Sequence, residues 1–245
     1  MGNYGGRNDG MTNDGMMRRT CALGVGSGAG GRLNGCMTNG ARMWDERFRD
    51  DGHAYGTEPS LFLKEKVEFL RRGQRALVPA DGGGRNGVWL AQQGLTVHAV
   101  DFSTEGLARG RELAVARGVH VHFEQADLVE WNWPTAAYDW VVAVYFHLPP
   151  EPRRRVHAAM LRALKPGGHV LLEGFHTGQL AYQSGGPRDE TMLFSEERLR
   201  DEFAAAEILE LRTERVELDE SRLHRGPAML VRMLARKMTN GEKDE

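Results

Sequence analysis

The segment from Arg75 to Ser103 constrains the fold more than any other part of the chain. Its residue pattern predicts a buried strand over Ala76–Ala80, a glycine-rich turn, a helix over Arg85–Gln93 and a second strand over Thr96–Val100. A strand that breaks into glycines and continues as a helix exposes backbone N–H groups at the helix N-terminus, where a polar cofactor can approach. Asp101 follows the second strand, where a ribose diol would find a hydrogen-bond acceptor. The segment therefore predicts a nucleoside-cofactor site.

Composition narrows the class of protein. The chain has 245 residues and a formal net charge of −2, so no basic field would attract nucleic acid or an anionic membrane. It contains no apolar stretch of membrane-spanning length, and its N-terminus lacks the apolar core of a secretory signal. We therefore expect a cytoplasmic protein with no nucleic-acid or membrane partner. The two cysteines, Cys21 and Cys36, both precede residue 43, which excludes a disulfide framework or a catalytic cysteine from the rest of the chain.

Residue usage also divides the chain. Residues 1–42 are rich in Gly, Asn and Thr without apolar periodicity, which predicts a disordered extension. We expect an N-terminal helical cap over residues 43–74, a catalytic core over residues 75–238 and a disordered tail over residues 239–245. Within the cap, Leu61, Leu63, Val67 and Leu70 approximate one apolar helix stripe.

Strands that alternate with helices throughout the core predict an α/β fold. We expect a doubly wound, mostly parallel, seven-stranded sheet with helices on both faces. The last two strands are separated only by residues 219–226, so they should form a C-terminal antiparallel hairpin. Such a hairpin is unusual for a plain dinucleotide-binding fold.

Histidine spacing offers one pattern typical of metal sites. His120 and His122 are two positions apart in a segment with strand-like alternation, which would place both on one face. Because no third ligand stands in a recognisable pattern with them, we predict surface histidines and no metal.

Four motifs in this order and spacing carry a family resemblance: ALVPADGGGRN, VHAVDFS, FEQAD and LKPGGHVLLEGF. From about Met43 to Lys237 the chain resembles a class I S-adenosylmethionine-dependent methyltransferase, within that class the small bacterial tellurite-resistance or thiol-methyltransferase type. The resemblance implies that S-adenosyl-L-methionine is the cofactor. One departure is Val78, which stands where many class members have an acidic residue facing the amino group of the cofactor.

The resemblance also implies a cofactor site, in which Asp101 binds the ribose hydroxyls and Asp127 the adenine amino group. Phe102 and Leu128 would sandwich the adenine. The complete expected set is Ala80, Asp81, Gly82, Gly84, Asn86, Asp101, Phe102, Asp127, Leu128 and Val144.

For the acceptor, the resemblance implies a small molecule, such as a thiol, a chalcogen oxyanion or a chalcogenide, methylated by direct in-line displacement. We expect Trp44, Tyr55, Tyr145, His176 and Tyr182 to line its pocket. His147 follows the fourth strand and is the expected catalytic residue, orienting or deprotonating the acceptor. The expected assembly is a monomer or a weak homodimer.

Two alternatives remain open on the sequence. An NAD(P)-dependent oxidoreductase would share the first strand–helix–strand unit, although the terminal hairpin, Asp127 and the LKPGG motif argue against it. A non-catalytic protein that binds S-adenosylmethionine is supported only by Val78.

Overall fold

The computed structural model describes residues 42–49, 55–221 and 223–239. The predictions for residues 1–42 and 239–245 therefore lie almost entirely outside the described residues. The helices are α1 (42–49), α2 (Leu61–Glu65), α3 (Arg85–Gln92), α4 (Thr104–Ala116), α5 (Pro150–Ala163) and α6 (Glu196–Glu202). Short 3-10 turns cover Val67–Phe69, Thr177–Ala181 and Glu190–Met192. None of the helices in the described ranges has both the length and the apolar character needed to cross a bilayer.

Seven strands form one sheet, as predicted. They are β1 (Arg75–Pro79), β2 (Thr96–Asp101), β3 (His122–Gln125), β4 (Tyr138–Val144), β5 (Leu164–Phe175), β6 (Ala206–Ser221) and β7 (His224–Lys237). Their spatial order is β3-β2-β1-β4-β5-β7-β6. The first five strands are parallel, whereas β7 is antiparallel to both β5 and β6. The strand order reverses between β1 and β4, and the crevice at such a switch point is where open α/β sheets bind ligands.

Local sequence signals explain where the helices begin. The Ser103 hydroxyl accepts a hydrogen bond from the Gly106 N–H and so caps α4, as its position before the helix predicts. Ser60 caps α2 in the same way by accepting from the Leu63 N–H. Pro150 begins α5, at a position where a helix needs no N–H donor. The signals at Ser103 and Pro150 fix the points at which the chain leaves the carboxyl edge of the sheet after β2 and β4.

The core consists of two apolar layers, one on each face of the sheet. The first includes Leu77, Val141 and Met160, under α5 and α6. The second includes Val78, Val142 and Trp140, on the side of α2 and α3. Val78 is 1% exposed within this layer, so the substitution of an acidic residue by valine is accommodated as core packing.

The predicted apolar stripe of the cap is wrong in two of its four positions. Leu61 is 60% exposed and Val67 is 46% exposed, whereas Phe62 and Leu63 are fully buried. The reason is geometric, because the helix ends at Glu65 and the next turn is 3-10, so a 3.6-residue period does not persist across the segment.

Candidate functional site

The turn after β1 has the strained backbone that its glycines predict. Ala80, Gly82 and Gly84 have φ values of +55°, +52° and +80°, all in the left-handed region. The Ala80 N–H donates to the Val100 carbonyl at 2.7 Å, which holds the turn against the end of β2. The positive φ of Ala80, unusual for a residue with a Cβ, indicates that packing around the turn over-determines its conformation.

Two residues of the predicted cofactor set hold this turn together. The Asp81 carboxylate is 7% exposed and accepts from the N–H groups of Asn86 and Gly87 at the start of α3. Burial raises the pKa of Asp81 to about 7, against the opposing effect of those two hydrogen bonds. The Asn86 side chain accepts from the Ser60 N–H at 3.0 Å. Both polar side chains therefore stabilise the turn from within.

Asp101 faces the same turn from the end of β2. Its Oδ2 accepts from the Gly82 N–H and its Oδ1 from the Ser103 N–H, each at 2.8 Å. The residue is 4% exposed, and burial raises the pKa of its carboxyl to about 6. Each carboxylate oxygen can accept a second hydrogen bond, so Asp101 retains acceptor capacity beside the glycine turn.

The two glycines of the predicted set have different neighbours. A Cβ on Gly82 would lie 2.6 Å from the Phe48 ring, which covers the turn. A Cβ on Gly84 would lie 2.8 Å from the Gly110 Cα, so this glycine permits the close approach of α3 to α4. Gly84 thus has a helix-packing role in addition to its left-handed backbone.

Helix α1 covers the turn through the Asp45 carboxylate and the Phe48 ring. Asp45 accepts from the Ser103 hydroxyl at 2.6 Å and from the Glu105 N–H at 3.2 Å, at the N-terminus of α4. Trp44 and Tyr55 have ring centroids 5.7 Å apart, and Tyr55 also lies 6.0 Å from Phe48. The cap residues predicted to border the acceptor therefore lie beside the glycine turn.

Across the switch point, Tyr145 lies at the end of β4. Its φ is +54°, and its ring stacks on Phe175 with centroids 4.9 Å apart. The ring of His224, from the start of β7, lies 4.6 Å from Tyr145 and 4.9 Å from Tyr55. Burial raises the pKa of Tyr145 well above its usual value, so its hydroxyl is neutral. The cap, β4 and the terminal hairpin thus meet in one aromatic cluster.

A charged pair joins this cluster to the glycine turn. The buried Arg85, the residue after Gly84, lies 3.0 Å from Oε2 of Glu220, whose side chain is 14% exposed. The same Oε2 lies 3.4 Å from His224 Nδ1, and Oε1 accepts from the Tyr145 hydroxyl at 3.5 Å. Burial lowers the pKa of His224, which keeps its imidazole neutral at pH 7. We name Tyr55, Arg85, Tyr145, Glu220 and His224 the switch-point cluster.

His147, the predicted catalytic residue, is hydrogen-bonded to the backbone through both ring nitrogens. Nδ1 lies 3.0 Å from the Met192 carbonyl, and Nε2 accepts from the Phe175 N–H at 3.1 Å. Burial lowers its pKa to about 4, and its ring stacks on Phe194 with centroids 4.7 Å apart. With both nitrogens hydrogen-bonded in this conformation, the geometry favours a role in positioning the loop after β5; the catalytic role of His147 stays a prediction.

The remaining predicted residues fall into two groups. Asp127, Leu128, Phe102 and Val144 lie at the carboxyl edge of the sheet with Asp101, and the Asp127 carboxylate accepts from the Val129 N–H. His176 and Tyr182 lie in the segment after β5. The His176 ring accepts from the Gly178 N–H at 3.0 Å, which caps a 3-10 turn. No contact in the described residues joins His176 or Tyr182 to the switch-point cluster.

The sequence prediction missed Arg85, Glu220 and His224. Arg85 stands inside the quoted glycine motif, but an arginine at the start of a helix gives no local sign of burial. Glu220 and His224 lie at the two strand ends that border the hairpin turn, where polar residues are ordinary. A weak signal was available, since these two residues lie within the shortest link between two predicted strands, residues 219–226.

Comparison with known proteins agrees with this arrangement. The methyltransferase domain family matches residues 77–168. The chain is 28% identical over 149 residues to 27-O-demethylrifamycin SV methyltransferase of Amycolatopsis mediterranei (strain S699), covering 55% of this chain and 53% of that protein. It is 35% identical over 104 residues to phosphatidylethanolamine N-methyltransferase of Cereibacter sphaeroides, covering 41% and 50%. The chain thus spans about half the length of these curated relatives.

A solved structure supports the fold over a larger part of the chain. This structure comes from work on the conversion of a disulfide bond into a thioacetal group during echinomycin biosynthesis. It superposes on this chain with a TM-score of 0.64 at 20% sequence identity. The match covers 82% of this chain and 93% of that one. Residues 77–168 thus match the methyltransferase domain family, and the seven-stranded sheet has the fold of solved methyltransferase structures.

Proposed function

We propose that this protein transfers a methyl group from S-adenosylmethionine to a small, neutral acceptor of the thiol class. The observation that carries the proposal is the adjacency of two features, the glycine turn with Asp101 and the switch-point cluster. Arg85 belongs to both, because it follows Gly84 and pairs with Glu220. A cofactor held at the first feature would present its reactive end toward the second.

The residues present fit S-adenosylmethionine in the donor and acceptor groups that they offer. The buried Asp101 carboxylate has spare acceptor capacity for a ribose diol, and the turn beside it has no Cβ at residues 82–84. Asp127 lies at the end of the neighbouring strand, in a position suited to the adenine. Asp81 is committed to α3, so the proposal assigns it the support of the turn.

The charge and polarity of the switch-point cluster support a neutral acceptor. Arg85 is already paired with the partly buried Glu220, which leaves its charge compensated. The other members are the aromatic rings of Tyr55, Tyr145 and His224. An anionic chalcogen acceptor would need an uncompensated cation here, whereas a polarisable thiol suits aromatic surfaces.

The chemistry requires little covalent help from the chain. When bound, S-adenosylmethionine supplies a methyl group on an electrophilic sulfonium. The aromatic rings of the cluster would hold the acceptor sulfur in line and exclude water, since alignment alone can be worth roughly 7–11 kcal/mol. His224, oriented by Glu220, would accept the thiol proton, because the thiolate is the nucleophile.

Two measurements on the full chain test the proposal. Calorimetric titration with S-adenosylmethionine and, separately, with NAD identifies the cofactor. Incubation with methyl-labelled cofactor and a panel of thiols, selenite and tellurite then identifies the acceptor class. Label on thiols alone is the expected result. Binding of NAD but not of S-adenosylmethionine would overturn the cofactor assignment, and label only on the oxyanions would overturn the acceptor assignment.

Cofactor affinity should depend on pH through Asp101. The ribose hydroxyls would donate to the ionised carboxylate, but burial raises the pKa of this group to about 6 in the ligand-free chain. The fraction of chains with protonated Asp101 increases as pH falls through 6, and this form lacks the ionised acceptor for the ribose. The dissociation constant should therefore rise roughly tenfold as pH falls from 7.5 to 5. Calorimetry in buffers of different ionisation enthalpy would detect the accompanying proton release. In Asp101→Asn the same pH change should have little effect; an equally steep profile would assign the dependence to another group.

The proposed base can be separated from the cofactor site by kinetics. His224→Asn should lower kcat for a thiol acceptor by roughly 10²- to 10⁴-fold, the range for loss of general-base catalysis. The affinity for S-adenosylmethionine should change by less than about threefold, since His224 lies across the switch point from Asp101. His120→Asn, at an exposed histidine before β3, is the matched control. Wild-type turnover in His224→Asn would remove this residue from the mechanism.

A further inference from the structure

Two neighbouring strands bring together a set of metal-binding side chains that the sequence did not connect. His98 on β2 and His122 on β3 are register partners in the parallel ladder, and their ring centroids are 4.6 Å apart. Glu124 is two positions beyond His122 on β3 and therefore shares its face. One ligand atom from each of the three lies within 4.8 Å of the other two. His120, the histidine that the sequence paired with His122, precedes the strand and is not one of the three.

Groups outside the three residues orient two of them. The Tyr138 hydroxyl lies 2.7 Å from His98 Nδ1, and the Trp131 indole N–H donates to Glu124 Oε1 at 2.8 Å. These contacts leave His98 Nε2 and Glu124 Oε2 facing each other at 2.9 Å. In protein metal sites the ring nitrogen or carboxylate oxygen that does not bind the metal is commonly hydrogen-bonded in this way. The hydrogen bond fixes the orientation of the ligand and the tautomer of the histidine.

The spacing and chemistry of the three side chains suit a borderline divalent cation. Two imidazoles and one carboxylate are a common protein donor set for Zn²⁺, with bonds of about 2.0–2.2 Å and a fourth position left to water. Tetrahedral bonds of that length separate neighbouring ligand atoms by roughly 3.3 Å, so His98 and Glu124 would need to part by only a few tenths of an ångström.

We propose that His98, His122 and Glu124 form a Zn²⁺-class metal site that clips the edge strand β3 to β2. The site is separate from the glycine turn, because His98 lies three positions before Asp101 on the strand. His122 is exposed and half-buried His98 lies behind it, so a cation can enter from solvent. The ion would replace the direct His98–Glu124 hydrogen bond and join the two strands through side chains. This inference is independent of the proposed methyl transfer.

The test uses untagged full-length protein stripped with chelator and titrated with Zn²⁺, and with Co²⁺ as a spectroscopic probe. We expect one ion per chain, a rise in Tm on addition of Zn²⁺, and visible Co²⁺ absorption of tetrahedral intensity. His122→Ala, at an exposed position, should abolish all three effects without preventing folding. His120→Ala should retain them. Binding that is absent from the wild type, or lost equally in both variants, would overturn the site.

Tyr138→Phe provides a second, sharper test. Removing only the hydroxyl beside His98 should weaken Zn²⁺ binding by roughly 10- to 100-fold, the usual effect of losing a group that orients a ligand. Adventitious binding to surface histidines would not respond to this change. Unaltered affinity in Tyr138→Phe, together with normal Co²⁺ spectra, would show that the three side chains are not the ligands.

Discussion

Asp101→Ala should weaken the binding of S-adenosylmethionine by roughly 10- to 150-fold, or about 1.5–3 kcal/mol, the value of hydrogen bonds to a charged group. The reason is that this carboxylate is the buried acceptor beside the glycine turn, with both oxygens able to receive one more donor. Calorimetric titration at pH 7.5, above the pKa of about 6, measures the effect on the ionised form.

The control must separate lost cofactor contacts from a disturbed turn, because Asp101 also accepts from the Gly82 and Ser103 N–H groups. Asp139→Asn is suitable, since Asp139 likewise accepts a backbone N–H, that of Arg75, but at the opposite edge of the sheet. It should leave cofactor affinity unchanged. If Asp101→Ala binds as tightly as this control while remaining folded, the ribose is not held at the end of β2.

Arg232→Met should lower the free energy of unfolding by about 3–5 kcal/mol, because it strips a buried carboxylate of its counter-ion. Glu173 is 1% exposed, and its two oxygens face the Arg232 guanidinium at 2.8 Å and the Ser60 hydroxyl at 3.1 Å. Burial already raises the pKa of Glu173 with the arginine present. Without it the folded state should favour the protonated carboxyl further, so the variant should become more stable as pH falls from 8 to 6. Urea unfolding at both pH values measures both effects.

An exposed ion pair serves as the control for Arg232→Met, and a double variant tests whether the unpaired charge causes the loss of stability. Arg154 and Asp201 are also paired at 3.3 Å, but both side chains are more than half exposed. Arg154→Met should therefore cost less than about 1 kcal/mol. Adding Glu173→Gln to Arg232→Met should recover a large part of the loss, since it removes the unpaired charge. A single variant no less stable than Arg154→Met would mean that Glu173 is not a buried anion.

The sequence predicted the fold well because its signals are local. The first strand–helix–strand unit agrees with the structure to within two residues at each end, since glycines and caps such as Ser103 mark its boundaries. The seven strands and the terminal hairpin follow from alternation and from the short link before His224. The predicted apolar stripe was wrong at Leu61 and Val67 because it assumed one continuous helix, and the spacing of apolar residues does not determine where a helix ends.

The site was predicted less completely because its contacts join distant parts of the chain. Asp101 lies beside the glycine turn, as expected, but Arg85 pairs with Glu220 only because β7 returns beside β5. His147 and His224 could not be distinguished from the sequence, since the hydrogen bonds that occupy His147 come from Met192 and Phe175. Likewise, His98 meets His122 through the register of two strands, which no spacing along the chain encodes.

The long terminal hairpin has a consequence for how this scaffold could diversify. β6 and β7 have 16 and 14 residues, and Glu220 near the end of β6 and His224 at the start of β7 reach Tyr145, which follows the central strand β4. Under the proposed function, nucleoside recognition depends instead on the ends of β1, β2 and β3. The part of acceptor choice that Glu220 and His224 would supply is then encoded apart from those strands, whereas Arg85 would serve both sites. Insertions or grafted turns at the hairpin tip could retune one trait during evolution or directed selection while the other is inherited intact.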